Sequence, residues 1–227
     1  MLKQKPKIDP LPSWKRCFDL SGACVGLAIL SPLLITISIY IKLASRGPVF
    51  FKHKRYGYMG KPLYVWKFRS MHVNANPTDH QQHVLSMVDN EVELKKLNTD
   101  AQLIPLGKWL RCSALDELPQ LINVFKGEMS LVGPRPDVVP VEQYNSRHQT
   151  RFDVLPGLTG LWQVSGKNHT TFNEMKELDA RYVEERSIWL DLRIVLWTVP
   201  AILKQVAEDF LNKQNDHPDE PPMESTS

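Results

Sequence analysis

Two adjacent carboxylates, Asp116 and Glu117, sit in the run Leu115-Asp116-Glu117-Leu118-Pro119-Gln120-Leu121, five residues after Arg111. Arg135 follows inside Gly133-Pro134-Arg135-Pro136, and Lys67 and Arg69 alternate along an earlier strand-like stretch. A folded core has no use for side-by-side carboxylates, whereas chemistry on phosphate esters does. A carboxylate serves as nucleophile or metal ligand, and guanidinium and ammonium groups offset phosphate charge. Prolines on both sides stiffen the backbone that presents Arg135. Alone, an Asp-Glu pair at a helix start is more often a solvated helix end, and scattered cations are ordinary surface ion pairs that contribute little. The conjunction is what points to phosphate transfer. Cys112 has no histidine near it in sequence to act as base, and reads as packing. His80 and His83, an HxxH in a polar segment, read as surface. The chain has no GxGxxG, Walker loop, HExxH or GxSxG.

Several elements must position these groups. Ser113 is expected to cap the helix that follows, with Asp116 three positions on. Leu118, Leu121, Ile122 and Phe125 are spaced to bury one face, and Gly127 fits the helix stop. Asp116 and Glu117 then occupy the first turn, where unpaired amides favour an ionised carboxylate. Upstream, Val49-Phe50-Phe51 and residues 63–69 read as strands joined by a turn over 56–60. That alternation sets Trp66 and Phe68 on one face, Lys67 and Arg69 on the other. Residues 106–110 read as helical, 156–160 as a tight loop, 161–164 as a strand and 171–186 as a charged helix. Residues 74–100 are polar, with a breaker at Asn74-Ala75-Asn76-Pro77 and a sparse apolar stripe over 81–97.

At 227 residues and a formal charge of +3, the chain is one ordinary domain, with or without a membrane anchor, and is too weakly basic to argue for nucleic acid. The charge is uneven: residues 1–69 hold thirteen Lys and Arg against Asp9 and Asp19. A basic first third broken by an apolar run suggests anionic headgroups or phosphates. Three cysteines without a CxxC pair argue for a reducing compartment.

Residues 20–41 carry no charge and are long enough to cross a hydrocarbon core. A single spanning anchor is the plain reading. Against it, Ser31-Pro32 lies at the midpoint, where proline breaks or kinks a helix. Lys15 and Arg16 before the run and Lys42 and Arg46 after it also leave the positive-inside rule no orientation to choose. A re-entrant helix–break–helix hairpin satisfies both ends, with Ser31 hydrogen-bonding backbone groups that the break frees. The apolar run 188–203, with Asp191 and Arg193 near its start, suits an interfacial or a core helix better than a spanning one. The expected organisation is a basic tail over 1–14, the hairpin over 15–46, a cytosolic domain over 47–211 and a disordered tail over 212–227. The expected fold is mixed α/β and mostly helical.

Together, the Leu115–Leu121 run, Val132-Gly133-Pro134-Arg135-Pro136 and Pro156-Gly157-Leu158-Thr159-Gly160 closely resemble the bacterial sugar transferases, the monotopic polyprenyl-phosphate phosphoglycosyl transferases. Lys15-Arg16-Cys17-Phe18-Asp19-Leu20, Ser31-Pro32, Lys67-Phe68-Arg69-Ser70-Met71 and Leu178-Asp179-Ala180-Arg181-Tyr182-Val183 match as well, so the resemblance runs from about residue 15 to 203. It implies transfer of a sugar-1-phosphate from a nucleoside-diphosphate sugar, by the family's habit a UDP-sugar, to undecaprenyl phosphate, with Mg²⁺. This would be the first membrane step of a surface glycan such as an exopolysaccharide or O-antigen, at the cytoplasmic face of the bacterial inner membrane. Partners would be those two substrates and the membrane lipids, with room for a homo-oligomer.

By position, Asp116 would be the nucleophile that takes the phosphosugar. Glu117 would complete the dyad, in metal binding with Asp116 or in activating the lipid phosphate. Lys67, Arg111 and Arg135 would contact phosphates, with Arg69 beside them, and Ser31-Pro32 would break the hairpin. Lys167 stands where the family often has arginine, exchanging a forked donor for a point charge, and 74–100 is longer than expected. The chain resembles the family's minimal form, without the four-helix region of longer relatives. Two other readings stay open. In one, the lipid phosphate attacks directly while Asp116 only binds Mg²⁺. In the other, the chain is a membrane-tethered scaffold or regulator with a structural acidic–basic cluster.

Overall fold

The computed structural model describes residues 11–72, 102–144, 148–166 and 170–215. The 74–100 segment, His80, His83 and Lys167 lie outside the described residues. The architecture is mixed α/β and mostly helical.

Helix α1 (Ser13–Ala44) is helical without interruption, and Pro32 lies inside it. Proline has no N–H for the carbonyl of Ala28, four residues back. Ser31 Oγ donates to that carbonyl at 2.8 Å and takes over the lost bond. Thr36 Oγ1 and Ser38 Oγ donate likewise to the carbonyls of Pro32 and Leu34, a back-bonding pattern that favours bending. Both ends of α1 pack on the same body. Ala23 joins Val65, Val124 and Met129, while Ile37 and Ile41 join Phe68, Ile104 and Leu110. The middle is more open: Ile29 is 71% exposed. Only 11% of the most apolar window of α1 is buried, so this is no core helix, and its length and composition suffice to cross a membrane.

Strands β1 (Phe50–Tyr56) and β2 (Pro62–Phe68) form the expected antiparallel hairpin, with Phe51 opposite Lys67. Gly60 turns the chain at φ +68°, where a Cβ would also meet Val141 at 2.6 Å. Helix α2 (Gly107–Cys112), a 3₁₀ turn (Leu115–Gln120) and helix α3 (Leu121–Lys126) follow.

Next come β3 (Ser130–Val132) and β4 (Gly157–Thr159), a two-stranded parallel pair. A Cβ on Gly157 would lie 2.1 Å from the amide nitrogen of Gly133, so this close approach needs glycine. The 156–160 stretch is thus partly strand, and 161–164 is the helical turn α4 (Leu161–Val164), not a strand. Trp162 enters one apolar cluster and donates Nε1–H to Thr170 Oγ1 at 2.7 Å, whereas Leu161 and Val164 pack together on another. Spacing of i and i+3 on one face is helical.

Helix α5 (Phe172–Glu185) opens with a capping box of Thr171 and Glu174. Helix α6 (Ile188–Asn215) runs past residue 212, where the sequence suggests a disordered tail. One face carries buried Asp191 and Ile194; the other leaves Trp189 (78%), Leu196, Trp197, Val199 and Leu203 exposed. The Lys15 ammonium pairs with Asp191 and donates to the Val132 carbonyl at 2.9 Å, and Asp19 accepts from Ser130 Oγ and the Leu131 amide. The heads of α1 and α6 are thereby fixed to β3.

Candidate active site

Ser113 does not cap the helix after it. Its hydroxyl donates back to the Trp109 carbonyl at 2.6 Å, and Ala114 then takes a left-handed conformation at φ 55°. Asp116 and Glu117 therefore lie on a 3₁₀ turn containing Pro119, not on the first turn of an α-helix. The change of period at Leu121 rotates the buried face onto Leu121, Asn123 and Val124, and leaves Phe125 48% exposed. Gly127, at φ +80°, ends α3 as expected. Asn123 pins this unit to the edge of β2: its side chain accepts from the Trp66 amide and donates to the Tyr64 carbonyl, both at 3.0 Å. That fixes Lys67 opposite Glu117.

Glu117 is clamped. Lys67 Nζ donates to Oε1 at 2.8 Å, and the Arg135 guanidinium donates to Oε2 at 2.9 Å and to Oε1 at 2.5 Å. Asp116, 8% exposed, makes no hydrogen bond to the described residues, although the charges of Lys67, Glu117, Arg111 and Arg135 all act on it. Burial pushes its carboxyl up to about 6, against the pull of Lys67 and with the push of Glu117. This corrects the expectation that a helix end holds Asp116 in the ordinary carboxylate range. Burial also lowers Lys67, while the dominant opposing charge is Glu117.

Arg111 reaches the same cluster, donating to Met71 Sδ at 3.9 Å and acting on Asp116 through its charge. Arg69 does not join. The strand ends at Phe68, and the Arg69 guanidinium turns to the carbonyls of Ser45 and Arg46, at 2.8 and 2.7 Å, which tie down the end of α1. Its expected place among the phosphate ligands is corrected on that ground. Ser31 and Pro32 stay within α1, outside this cluster.

Behind Arg135 lies a buried network that sequence reasoning missed. Asp137 Oδ2 accepts from Arg151 at 2.6 Å and from the Tyr144 hydroxyl at 2.5 Å, and its Oδ1 accepts from the amides of Val138 and Val139. Burial works to raise Asp137, yet Arg151, Tyr144 and the amides outweigh it and hold it below the usual range. Arg151 also donates to the Arg135 carbonyl at 2.9 Å and lies 2.7 Å from Asp179, a charge contact without an aligned hydrogen bond. The only sequence signals were Asp137 two residues after the Pro-braced arginine and Asp179 within a family-like run.

Among the described residues, no three His, Cys, Asp or Glu are placed to hold a metal ion. Mg²⁺ is commonly held by one or two carboxylates together with substrate phosphates, and the unengaged carboxylate of Asp116 fits that mode. Both oxygens of Glu117 are taken by cations. A cavity of about 710 Å³ opens between α1, α4 and α6, walled chiefly by apolar side chains such as Phe18, Leu131, Leu158, Val195 and Ile202, and Glu117 also lines it.

The sequence model of the family described as Bacterial sugar transferase matches residues 11–205. The chain is 40% identical over 193 residues to "Galactosyl transferase CpsE" of Streptococcus agalactiae serotype III (strain NEM316), covering 83% of this chain and 42% of that protein. It is 42% identical over 195 residues to "UDP-glucose:undecaprenyl-phosphate glucose-1-phosphate transferase" of Klebsiella pneumoniae, covering 82% and 39%. It is 38% identical over 191 residues to "Exopolysaccharide production protein ExoY" of Rhizobium meliloti (strain 1021), covering 83% and 84%. The chain thus spans about two fifths of the first two relatives and most of the third.

Proposed function

The chain belongs to the bacterial sugar transferase family, and on that premise we propose that it is a phosphoglycosyl transferase moving a sugar-1-phosphate from a UDP-sugar to undecaprenyl phosphate in glycan biosynthesis. One observation carries the reading: a buried carboxylate with no hydrogen bond to the described residues, Asp116, beside one held rigid by two cations, Glu117.

In the first half-reaction an Asp116 oxygen forms a bond to the phosphorus that bears the sugar. The bridging P–O bond breaks, and the nucleoside monophosphate leaves with the electron pair. In the second, an oxygen of the lipid phosphate attacks the same phosphorus and the bond to Asp116 breaks, regenerating the carboxylate. Two steps replace one displacement between two bulky anions. Glu117 holds Lys67 and Arg135 in place, and those cations with Arg111 offset the charge of the diphosphate. Asp116, together with the diphosphate, would hold Mg²⁺, which would supply further charge neutralisation when bound. The apolar cavity beside Glu117 suits a polyprenyl chain.

The expected break at Ser31-Pro32 does not interrupt α1; we read α1 instead as a re-entrant helix bent there, in the cytoplasmic face of the inner membrane, with the exposed Trp189 and Trp197 of α6 at headgroup depth. Ala23 and Ile41 pack into clusters that also hold Val65 and Phe68 of the one strand β2, and Pro32 with the back-bonded Ser31 between them supports a bend there. Cysteines introduced at positions 5 and 60 are expected to react with a membrane-impermeant maleimide from the same side; labelling from opposite sides would sink the hairpin.

For the activity, purified full chain with undecaprenyl phosphate is expected to release UMP from at least one member of a UDP-sugar panel. No release from any member would leave the scaffold reading standing.

A further inference from the structure

We infer that Arg55 is a further phosphate-binding residue of this site, holding, beside Arg135, a phosphate group other than the one that Asp116 attacks. The inference rests on the transferase reading and extends it to a residue outside the Asp116, Glu117, Lys67, Arg111 and Arg135 set.

Arg55 lies on β1 opposite Leu63 and is 9% exposed. Among the described residues its guanidinium has one polar side-chain neighbour, His53 Nδ1 at 3.3 Å from Nη2, and no carboxylate within ion-pair distance. Arginine does not escape burial by giving up its proton, and a buried cation without a counter-ion is strongly disfavoured. The nearby carboxylates are already committed. Both Glu117 oxygens accept from Lys67 and Arg135, and both Asp137 oxygens are taken by Arg151, Tyr144 and two amides. The next strong charge is a second cation: burial, and then Arg135, pull Arg55 down to about 10. Two guanidinium groups that repel one another, one of them lacking a carboxylate, form a seat for an anion.

The seat adjoins the cations of the site. Phe51 pairs with Lys67, so Arg55, four residues along β1, shares the Lys67 face of the hairpin, and its charge acts on Lys67 as well as answering to Arg135, Asp137 and Glu117. Backbone pairing agrees, since the Tyr56 amide donates to the Asp137 carbonyl at 2.7 Å and sets β1 beside the residue two beyond Arg135. A nucleoside diphosphate has a second phosphate for this place. That phosphate takes the electron pair when the bridging P–O bond breaks, and a fixed guanidinium stabilises the new charge without reorganising. The phosphate of the lipid acceptor has the same chemistry, and the two half-reactions tell the sources apart.

The experiment uses full-chain wild type, Arg55→Gln and Arg55→Lys in nanodiscs. Single-turnover release of UMP from the UDP-sugar is timed without undecaprenyl phosphate, which then chases the charged enzyme. Binding of UMP and of inorganic diphosphate is titrated separately. Arg55→Gln is expected to slow one half-reaction by about 10²–10³-fold, with partial recovery in Arg55→Lys, and to melt no lower than wild type without ligand. Slower release with UMP binding weakened about tenfold or more assigns the leaving phosphate. A slower chase with unchanged release assigns the lipid phosphate. Both half-reactions and both titrations within about twofold of wild type overturn the inference, as does a lower melting point with rates intact in the folded fraction. If wild type releases no UMP, the transferase reading fails. The diphosphate titration still decides whether Arg55 binds an anion.

Discussion

Asp116→Asn is expected to lower turnover by roughly 10⁴- to 10⁶-fold, the range seen when a nucleophile or its essential partner is removed. Asparagine keeps the shape of the side chain and removes its negative charge. The fold should not suffer. A carboxyl whose folded value, about 6, lies above its ordinary 3.8 binds its proton first in the folded state, so ionised Asp116 works against stability at neutral pH. Its contribution improves as pH falls from about 6 towards 3.8. Asp116→Asn should therefore melt at or above the wild-type temperature at pH 7. The same value sets the acid limb at low UDP-sugar, where the free enzyme titrates: UMP release in the first half-reaction should level off above about pH 7 and fall below about 6. Glu117→Gln should shift that limb to lower pH, because the Glu117 charge helps to hold Asp116 up. A rate within tenfold of wild type for Asp116→Asn would remove Asp116 from the chemistry.

Arg151→Met carries the largest expected effect on stability, a loss of about 3–5 kcal/mol, as when one partner of a buried ion pair is removed. The change leaves Asp137 and Asp179 facing each other without their shared cation. Burial already pushes Asp179 up to about 6. Without Arg151 both carboxyls gain folded-state proton affinity, so the loss should be largest above pH 6 and smaller in acid. Activity should fall too, because Arg151 holds the carbonyl of Arg135 and hence the guanidinium that clamps Glu117. Denaturant unfolding in mild detergent at pH 5 and pH 8 checks both points. A loss below 1 kcal/mol at pH 8 would show that the network does not anchor this loop.

Much of the site is legible in the sequence because it is built locally. Asp116 and Glu117 are neighbours, Arg111 precedes them on the adjoining helix, and the prolines around Arg135 announce a fixed loop. Strand alternation correctly turns Lys67 towards the pair. The same alternation misplaces Arg69, because β2 stops at Phe68 and the next side chain meets the end of α1. Four apolar residues, 161–164, cannot distinguish a strand from a helical turn by period alone. Ser113 has the right type for a cap, but its hydroxyl found a carbonyl behind it sooner than an amide ahead. Arg151, Asp137 and Asp179 come together only in the folded chain, across sequence separations that no local pattern reports. Arg55 was visible only as one more positive charge in a basic first third. Its isolation from carboxylates is a property of burial.

The central claim is a covalent bond to Asp116, and intact-protein mass spectrometry tests it most directly. Full chain incubated with its UDP-sugar and Mg²⁺ but no undecaprenyl phosphate should gain the mass of one sugar phosphate. That mass should be absent in Asp116→Asn and should disappear when the lipid phosphate is added. Wild-type enzyme that completes the overall transfer yet never gains the mass would contradict the account and favour direct attack by the lipid phosphate.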